Sequence, residues 1–151
     1  MLTDVLIELY ERDLAKLKTE IGLYENEADL WGKPGDVPNS AGNLCLHLNG
    51  NLQHFFGAVL GGTGYVRDRD AEFASTGVSR EQMLADVDTT LSVVKTTLAK
   101  LGNDDLAKTY PIEVFGKPIT TAFFLTHLAT HLDWHLGQIN YHRRLLSDAA
   151  N

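Results

Sequence analysis

Histidine is sparse in this chain and concentrated where one helix could use it. Four of the six histidines fall between Thr120 and Leu146, at positions 127, 131, 135 and 142. Gaps of four, four and seven return to the same side of an α-helix, which turns every 3.6 residues. Imidazoles four apart stack one turn above each other, so His131 and His135 could reach a single ion, and so could His127 and His131. Neutral imidazole is a common nitrogen ligand for zinc, nickel, copper and iron, and helical bundles build such sites from facing helices. The remaining pair, His47 and His54, lies seven apart on an earlier stretch. Any one of these residues alone is better read as a border residue with satisfied ring nitrogens. The clustering is what argues for a metal.

Four amphipathic stretches are available to position these side chains. Leu2 to Ile21 carries Leu2, Val5, Leu6, Leu9, Tyr10, Leu17 and Ile21 on one face, with Thr3 or Asp4 as the expected cap and Gly22 as the stop. After a loop containing two prolines, Asn39 or Ser40 caps a second helix that runs to about Leu60 and ends on Gly61-Gly62. Its stripe is Leu44, Leu48, Leu52, Phe55 and Val59, with His47 and His54 at the border. The third helix opens on the capping box Ser79-Arg-Glu-Gln82 and carries Met83, Val87, Leu91, Val94, Leu98 and Leu101, with Gly102 closing it. Thr109 to Thr120 has two prolines and a Gly-Lys turn, which predicts a small hairpin or an extended loop before the last helix starts near Thr121. The expected helices are therefore 2–21, 40–61, 80–101 and 121–147. Without long strands, repeats or a shift in composition, they predict an all-α four-helix bundle forming a single domain over residues 1–151.

A comparison of levels ranks the histidines. If the second and last helices run antiparallel with adjoining ends level, His47 lies about 21 Å from Gly61 at 1.5 Å per residue. His131 and His135 then lie about 15 and 21 Å from Thr121, so these three could meet. His54 falls nearer the level of His127, which leaves a 54/127/131 set as the rival. Several other chemistries are excluded. Neither His-x3-His segment holds the Glu of a zinc-protease motif, and Asp133 points away from its flanking histidines. No Glu-x-x-His is present, against a di-iron centre. Cys45 stands about 200° around the helix from His47, so those two do not chelate together.

Charge and composition narrow the partners. The net charge of −7 argues against nucleic acid or an anionic membrane surface. No stretch approaches the roughly 18 apolar residues of a membrane span, and the N-terminal residues lack the pattern of a signal peptide. With one cysteine and no disulfide framework, a cytoplasmic location is expected.

The segments Leu44-Cys-Leu-His47-Leu and His127-x3-His131-x3-His135-Leu-Gly137-Gln138-Ile resemble the DinB-like four-helix-bundle proteins, as do the helix order and the long link between helices two and three. The resemblance covers nearly the whole chain. It implies an up-down-down-up bundle, in which helices two and three are parallel and joined by a crossover. The link from Gly61 to Val78 is long enough, since a twenty-residue helix needs a return of about 30 Å and extended chain covers roughly 3.3 Å per residue. The resemblance also implies a divalent ion (Zn, Ni, Fe or Mn) on His47, His131 and His135, and an expected homodimer. Two positions depart from the pattern: Leu136 stands where many relatives have Arg, and Trp134 where they have a further His.

Three imidazoles leave coordination positions open to water or to a small-molecule substrate, as in catalytic rather than closed structural sites. Some relatives in the resembled family are S-transferases or isomerases that use low-molecular-weight thiols. A metal-dependent thiol transferase is thus the first expectation. A metal-dependent hydrolase and a non-enzymatic metal-binding or stress-associated protein are the alternatives. Gln138, on the histidine face, is expected to hydrogen-bond at the site, and Gly137 to permit close helix approach beside it.

Overall fold

The computed structural model describes residues 1–149 and is all-helical, without a β-strand among them. The long elements are α1 (Leu2–Gly22), α2 (Ala41–Leu52), α4 (Arg80–Leu98) and α6 (Thr121–Ala149). Two short helices, α3 (Arg69–Ala74) and α5 (Asn103–Ala107), a 3₁₀ turn (Glu27–Trp31) and a π-helical segment continuing α2 (Gln53–Leu60) complete the order. Met1 is the N-cap of α1; Asp4, in the first turn, accepts from the Met1 amino group at 2.9 Å, and Thr3 lies in the same turn. Ser40 caps α2, its Oγ accepting from the Asn43 N–H at 3.1 Å, and Ser79 caps α4 through the Gln82 N–H. The third helix ends earlier than its sequence suggests, at Leu98, and Gly102 instead starts α5. Before α6 the chain runs through bends and is closed by one antiparallel bridge, Thr109 to Thr120, which is less than a hairpin.

Side chains from the long helices interlock around one core. Leu6, Tyr10, Leu14, Leu17 and Ile21 of α1 are buried, whereas Leu2 and Val5 from the expected face are exposed. The Tyr10 ring meets Phe56 edge-on at 5.2 Å, and its hydroxyl donates to the Leu125 carbonyl at 2.7 Å. Lys18 pairs with Asp88 at 2.8 Å and Lys95 with Glu11. Glu20 receives Asn140 at 2.7 Å and Arg143 at 2.8 Å, while Thr90 donates to Asn49 at 2.8 Å. On α6, Phe124, Leu128, Leu132, Leu136 and Ile139 are buried. Each such side chain contributes about 1.5–3 kcal/mol through loss of apolar area to water. Because His127, His131 and His135 each precede a buried leucine by one residue, they sit about 100° around the helix, at the edge of the core.

The second helix changes pitch. From Gln53 to Leu60 it continues as π-helical turns, with the Gly61 N–H reaching back to the Phe56 carbonyl at 2.8 Å. A wider turn rotates each later side chain backwards relative to an α-helix. The stripe Leu44, Leu48, Leu52 therefore continues at Phe56, and Phe55 and Val59 are only half-buried.

Gly137 does not serve close helix approach. A Cβ added there would meet no heavy atom within 4 Å outside the helix itself, so the space is open. Gly137→Ala is expected to raise stability by up to about 1 kcal/mol through helix propensity and to leave metal binding unchanged. A lower midpoint in urea denaturation would contradict that account.

Candidate metal centre

Three imidazole nitrogens converge between α2 and α6. Nε2 of His131 lies 3.2 Å from Nε2 of His47 and 3.2 Å from Nε2 of His135. All three ligand atoms lie within 4.8 Å of one another. Two nitrogens held about 2.0–2.1 Å from one ion sit roughly 2.9–3.4 Å apart for angles between 90° and tetrahedral, so the spacing fits a shared cation. His127 is turned away, edge-on to Phe115 at 4.8 Å, and His54 packs edge-on against Phe55 at 4.8 Å. The rival set is not brought together.

The outer nitrogens fix which way the rings face. A carboxylate only accepts, so the Nδ1–H of His47 donates to Oε1 of Glu72 at 3.0 Å. The Nδ1–H of His135 donates to Oε1 of Gln138 at 2.7 Å. Both Nε2 atoms are thereby left as bare lone pairs, the form that binds metal. His131 has no such partner: its buried Nδ1 makes no hydrogen bond. With its proton on Nδ1, His131 buries an unserved donor; with its proton on Nε2, it satisfies only one of the two lone pairs facing it. A cation at the convergence serves all three Nε2 atoms at once. Burial pushes His131 down to about 4, helped by the neighbouring His135 and His47, which keeps the ring neutral and available as a ligand. Burial likewise lowers His135, against the opposing effect of its bond to Gln138.

Glu72 is the functional residue that the sequence did not reveal. It lies on α3, within the polar link between the second and third long helices, and is only 6% exposed. Arg67 holds it bidentately, Nε to Oε2 at 2.8 Å and Nη2 to Oε1 at 2.9 Å. Burial alone would raise the Glu72 carboxyl, but the bonds from Arg67 and His47 outweigh it and hold it below the usual range. Arg67 Nη2 also lies 3.4 Å from His47 Nδ1; two donors meet there, so Glu72 is what holds them together. The placement of the Glu72 side chain depends on Gly50, where a Cβ would collide with the carboxylate and come within 2.6 Å of its Cδ. Asn43 fastens the other end, its Nδ2 donating to the carbonyls of Glu72 at 3.0 Å and Ser75 at 2.7 Å. One sequence signal was available, Asp68 capping Ala71 at 3.0 Å, but six residues are too few to show a helical period.

The family model described as "Protein of unknown function (DUF1572)" matches residues 12–150. The chain belongs to this family. No curated protein matches the sequence. The family description names no activity, so the chemistry has to be read from the site.

The other candidates stand apart from the imidazole cluster. Cys45 is fully buried, and burial pushes its thiol up to about 12, which removes it as a nucleophile. His142 is buried, with Nε2 donating to the Gly32 carbonyl at 2.7 Å and Nδ1 accepting from the Tyr24 hydroxyl at 2.7 Å. It pins the loop before α2 onto α6. Asp133 is exposed and lines a groove with Arg12 and Lys16 of α1, not one of the cavities beside the triad. No helix among the described residues is long and apolar enough to cross a membrane.

Glu72→Gln and Gly50→Ala are both expected to weaken metal binding about 10- to 100-fold, the range for outer partners of ligating histidines. Competition against a chelator measures this, with circular dichroism confirming that each variant folds. Unchanged affinity in both variants would remove Glu72 from the site.

Proposed function

We propose that this protein binds one divalent metal ion through His47, His131 and His135 and uses it in a reaction of a low-molecular-weight thiol, as a metal-dependent S-transferase. The observation that carries the metal reading is the convergence of three Nε2 atoms, two of them with their Nδ1–H groups committed to Glu72 and Gln138. A divalent ion such as Zn, Ni, Fe or Mn would supply the positive charge that lowers the pKa of a bound thiol or water. Gln138 orients His135 and stands beside the open side of the site.

The transferase reading rests on the lack of a carboxylate base at the site, where the other imidazole without a hydrogen bond in the flanking walls is His127. Neither cavity flanking the triad is lined by an acidic residue, and Glu72 is committed to Arg67 and His47. Activating water for hydrolysis calls for a general base, whereas a thiol ionises near neutral pH with far less help. The hydrolase and the non-enzymatic metal-binding protein remain the alternatives to be tested.

The same reading places the chain, as one domain, with the DinB-like bundles in their up-down-down-up order. The helix pairings support it. Glu11 and Lys18 of α1 meet Lys95 and Asp88 of α4 in reversed order, as antiparallel helices do. Asn49 and Phe56 meet Thr90 and Thr97 in the same order, as a parallel pair does. Tyr10 and Glu20 meet Leu125 and Asn140, also in the same order. A homodimer belongs to this reading and is supported by Phe123, Trp134, Tyr141 and Leu145, exposed apolar residues at helical spacing along α6. Light scattering should report two copies; a monomeric mass refutes the dimer.

Alanine at 47, 131 or 135 is expected to abolish stoichiometric metal binding in untagged protein, while alanine at 54 or 127 preserves it. The metal-loaded protein should turn over an electrophile such as chlorodinitrobenzene only when a thiol is supplied, with saturation in thiol. Turnover with water alone would select the hydrolase. Metal binding without any turnover would select the non-enzymatic protein.

A further inference from the structure

Two cavities flank the imidazole cluster, and their linings differ in kind. One, of about 280 Å³, contains His135 and Gln138 among Val37, Leu44, Tyr141 and Leu145, and has no Asp, Glu, Lys or Arg. The other, of about 310 Å³, has His47 and His131 in its wall together with Arg67 and Arg69. In a chain with 20 acidic and 13 basic residues, no Asp or Glu lines this second cavity. Its charge is therefore a local feature set against the overall field of the protein.

The two arginines are not equivalent. Arg67 spends its guanidinium on Glu72. Arg69 is exposed, lies over the Phe73 ring at 5.1 Å, and has no ion pair among the described residues. Asn51 lines the same cavity, is 6% exposed, and its Oδ1 is covered without a hydrogen-bond partner. That oxygen only accepts, so a carboxylate cannot serve it. The end of the amide open to an anion is Nδ2, which is not covered and makes no hydrogen bond among the described residues. The apolar wall is aromatic: Phe55 meets Phe124 edge-on at 4.9 Å, and Phe115 meets Phe124 at 5.9 Å. Such rings receive a flat apolar body by offset or edge contacts.

We propose that this cavity is a subsite for a small aromatic carboxylic acid, with the carboxylate held by Arg69 and the Asn51 amide and the ring against Phe55 and Phe115. One unpaired guanidinium balances one negative charge, which suits a carboxylate better than a phosphate dianion. The subsite deepens the reading of the metal centre and rests on it only for placing the acid beside the reacting position, since His47 and His131 belong to both.

Phenylacetate is the probe, titrated into full-length protein in metal-free and zinc-loaded form and followed by NMR of the backbone amides. Saturable shifts centred on Asn51, Arg69 and Phe115 are expected in both forms, with phenylacetamide binding at least about tenfold more weakly. Arg69→Gln should weaken phenylacetate about tenfold, Arg69→Lys should recover part of the loss, and Asn51→Ala should weaken it as well. Equal binding of acid and amide overturns the proposal, as does indifference to Arg69→Gln or a shift pattern centred on Leu44 and Tyr141. Binding confined to the zinc-loaded form and unaffected by Arg69→Gln would mean that the carboxylate ligates the metal, which also overturns it. If zinc fails to bind but phenylacetate titrates as described, the metal reading fails and this subsite stands. If zinc binds and phenylacetate does not, the subsite alone fails.

Discussion

Imidazole nitrogens that face one another at 3.2 Å cannot all be satisfied by their own protons, and the architecture around the centre follows from that constraint. A neutral ring has one donor and one acceptor. Where the Nδ1–H is claimed by an outer oxygen, as in His47 and His135, the Nε2 lone pair has to find a donor or a cation. His131 between them cannot supply both. The cluster is thus costly as bare protein and favourable around a positive ion, which is the general logic by which metal sites are recognised before a metal is seen.

Holding that arrangement requires a carboxylate inside the protein, and a buried carboxylate needs partners of its own. Glu72 has two, Arg67 and His47. The glycine at position 50 lets the carboxylate reach the surface of α2, and Asn43 ties down the end of α3. Each of these residues does little alone. Together they turn a six-residue helix in a polar link into one wall of the site. Arg67 acts twice, neutralising Glu72 and lining the cavity next to the triad, where Arg69 supplies the charge that Arg67 has already spent.

The pitch change in the second helix serves the same region from the core side. Its wider turns move Phe56 into the core against Tyr10 and leave Phe55 facing the cavity, while His54 stays outside the cluster. With strict α-helical pitch, the seven-residue gap between His47 and His54 would have kept both on one face. Even on one face they stand about 10.5 Å apart along the helix, so only one of the two reaches the nitrogens of His131 and His135.

Local and periodic features were legible in the sequence. The histidine spacing on α6 put His131 and His135 one turn apart on one side of the helix, and the serine caps at 40 and 79 marked two helix starts, because these patterns depend only on neighbours in the chain. The level comparison put His47 beside that pair and favoured it over His54. What the sequence could not show was whatever depends on one segment pressing against another. Glu72 was hidden because a single acidic residue in an acidic, aperiodic link has no distinguishing pattern until Arg67 and His47 surround it. Asn51 was hidden because its lack of a partner is a property of the packed interior. The two glycines show the difference most directly: Gly137, beside the histidines in sequence, borders open space, whereas Gly50, unremarked in sequence, is where the Glu72 side chain lies against α2. Spacing along a chain fixes which side chains share a face, but which of them become buried, paired or left wanting a partner is decided by the elements that close over them.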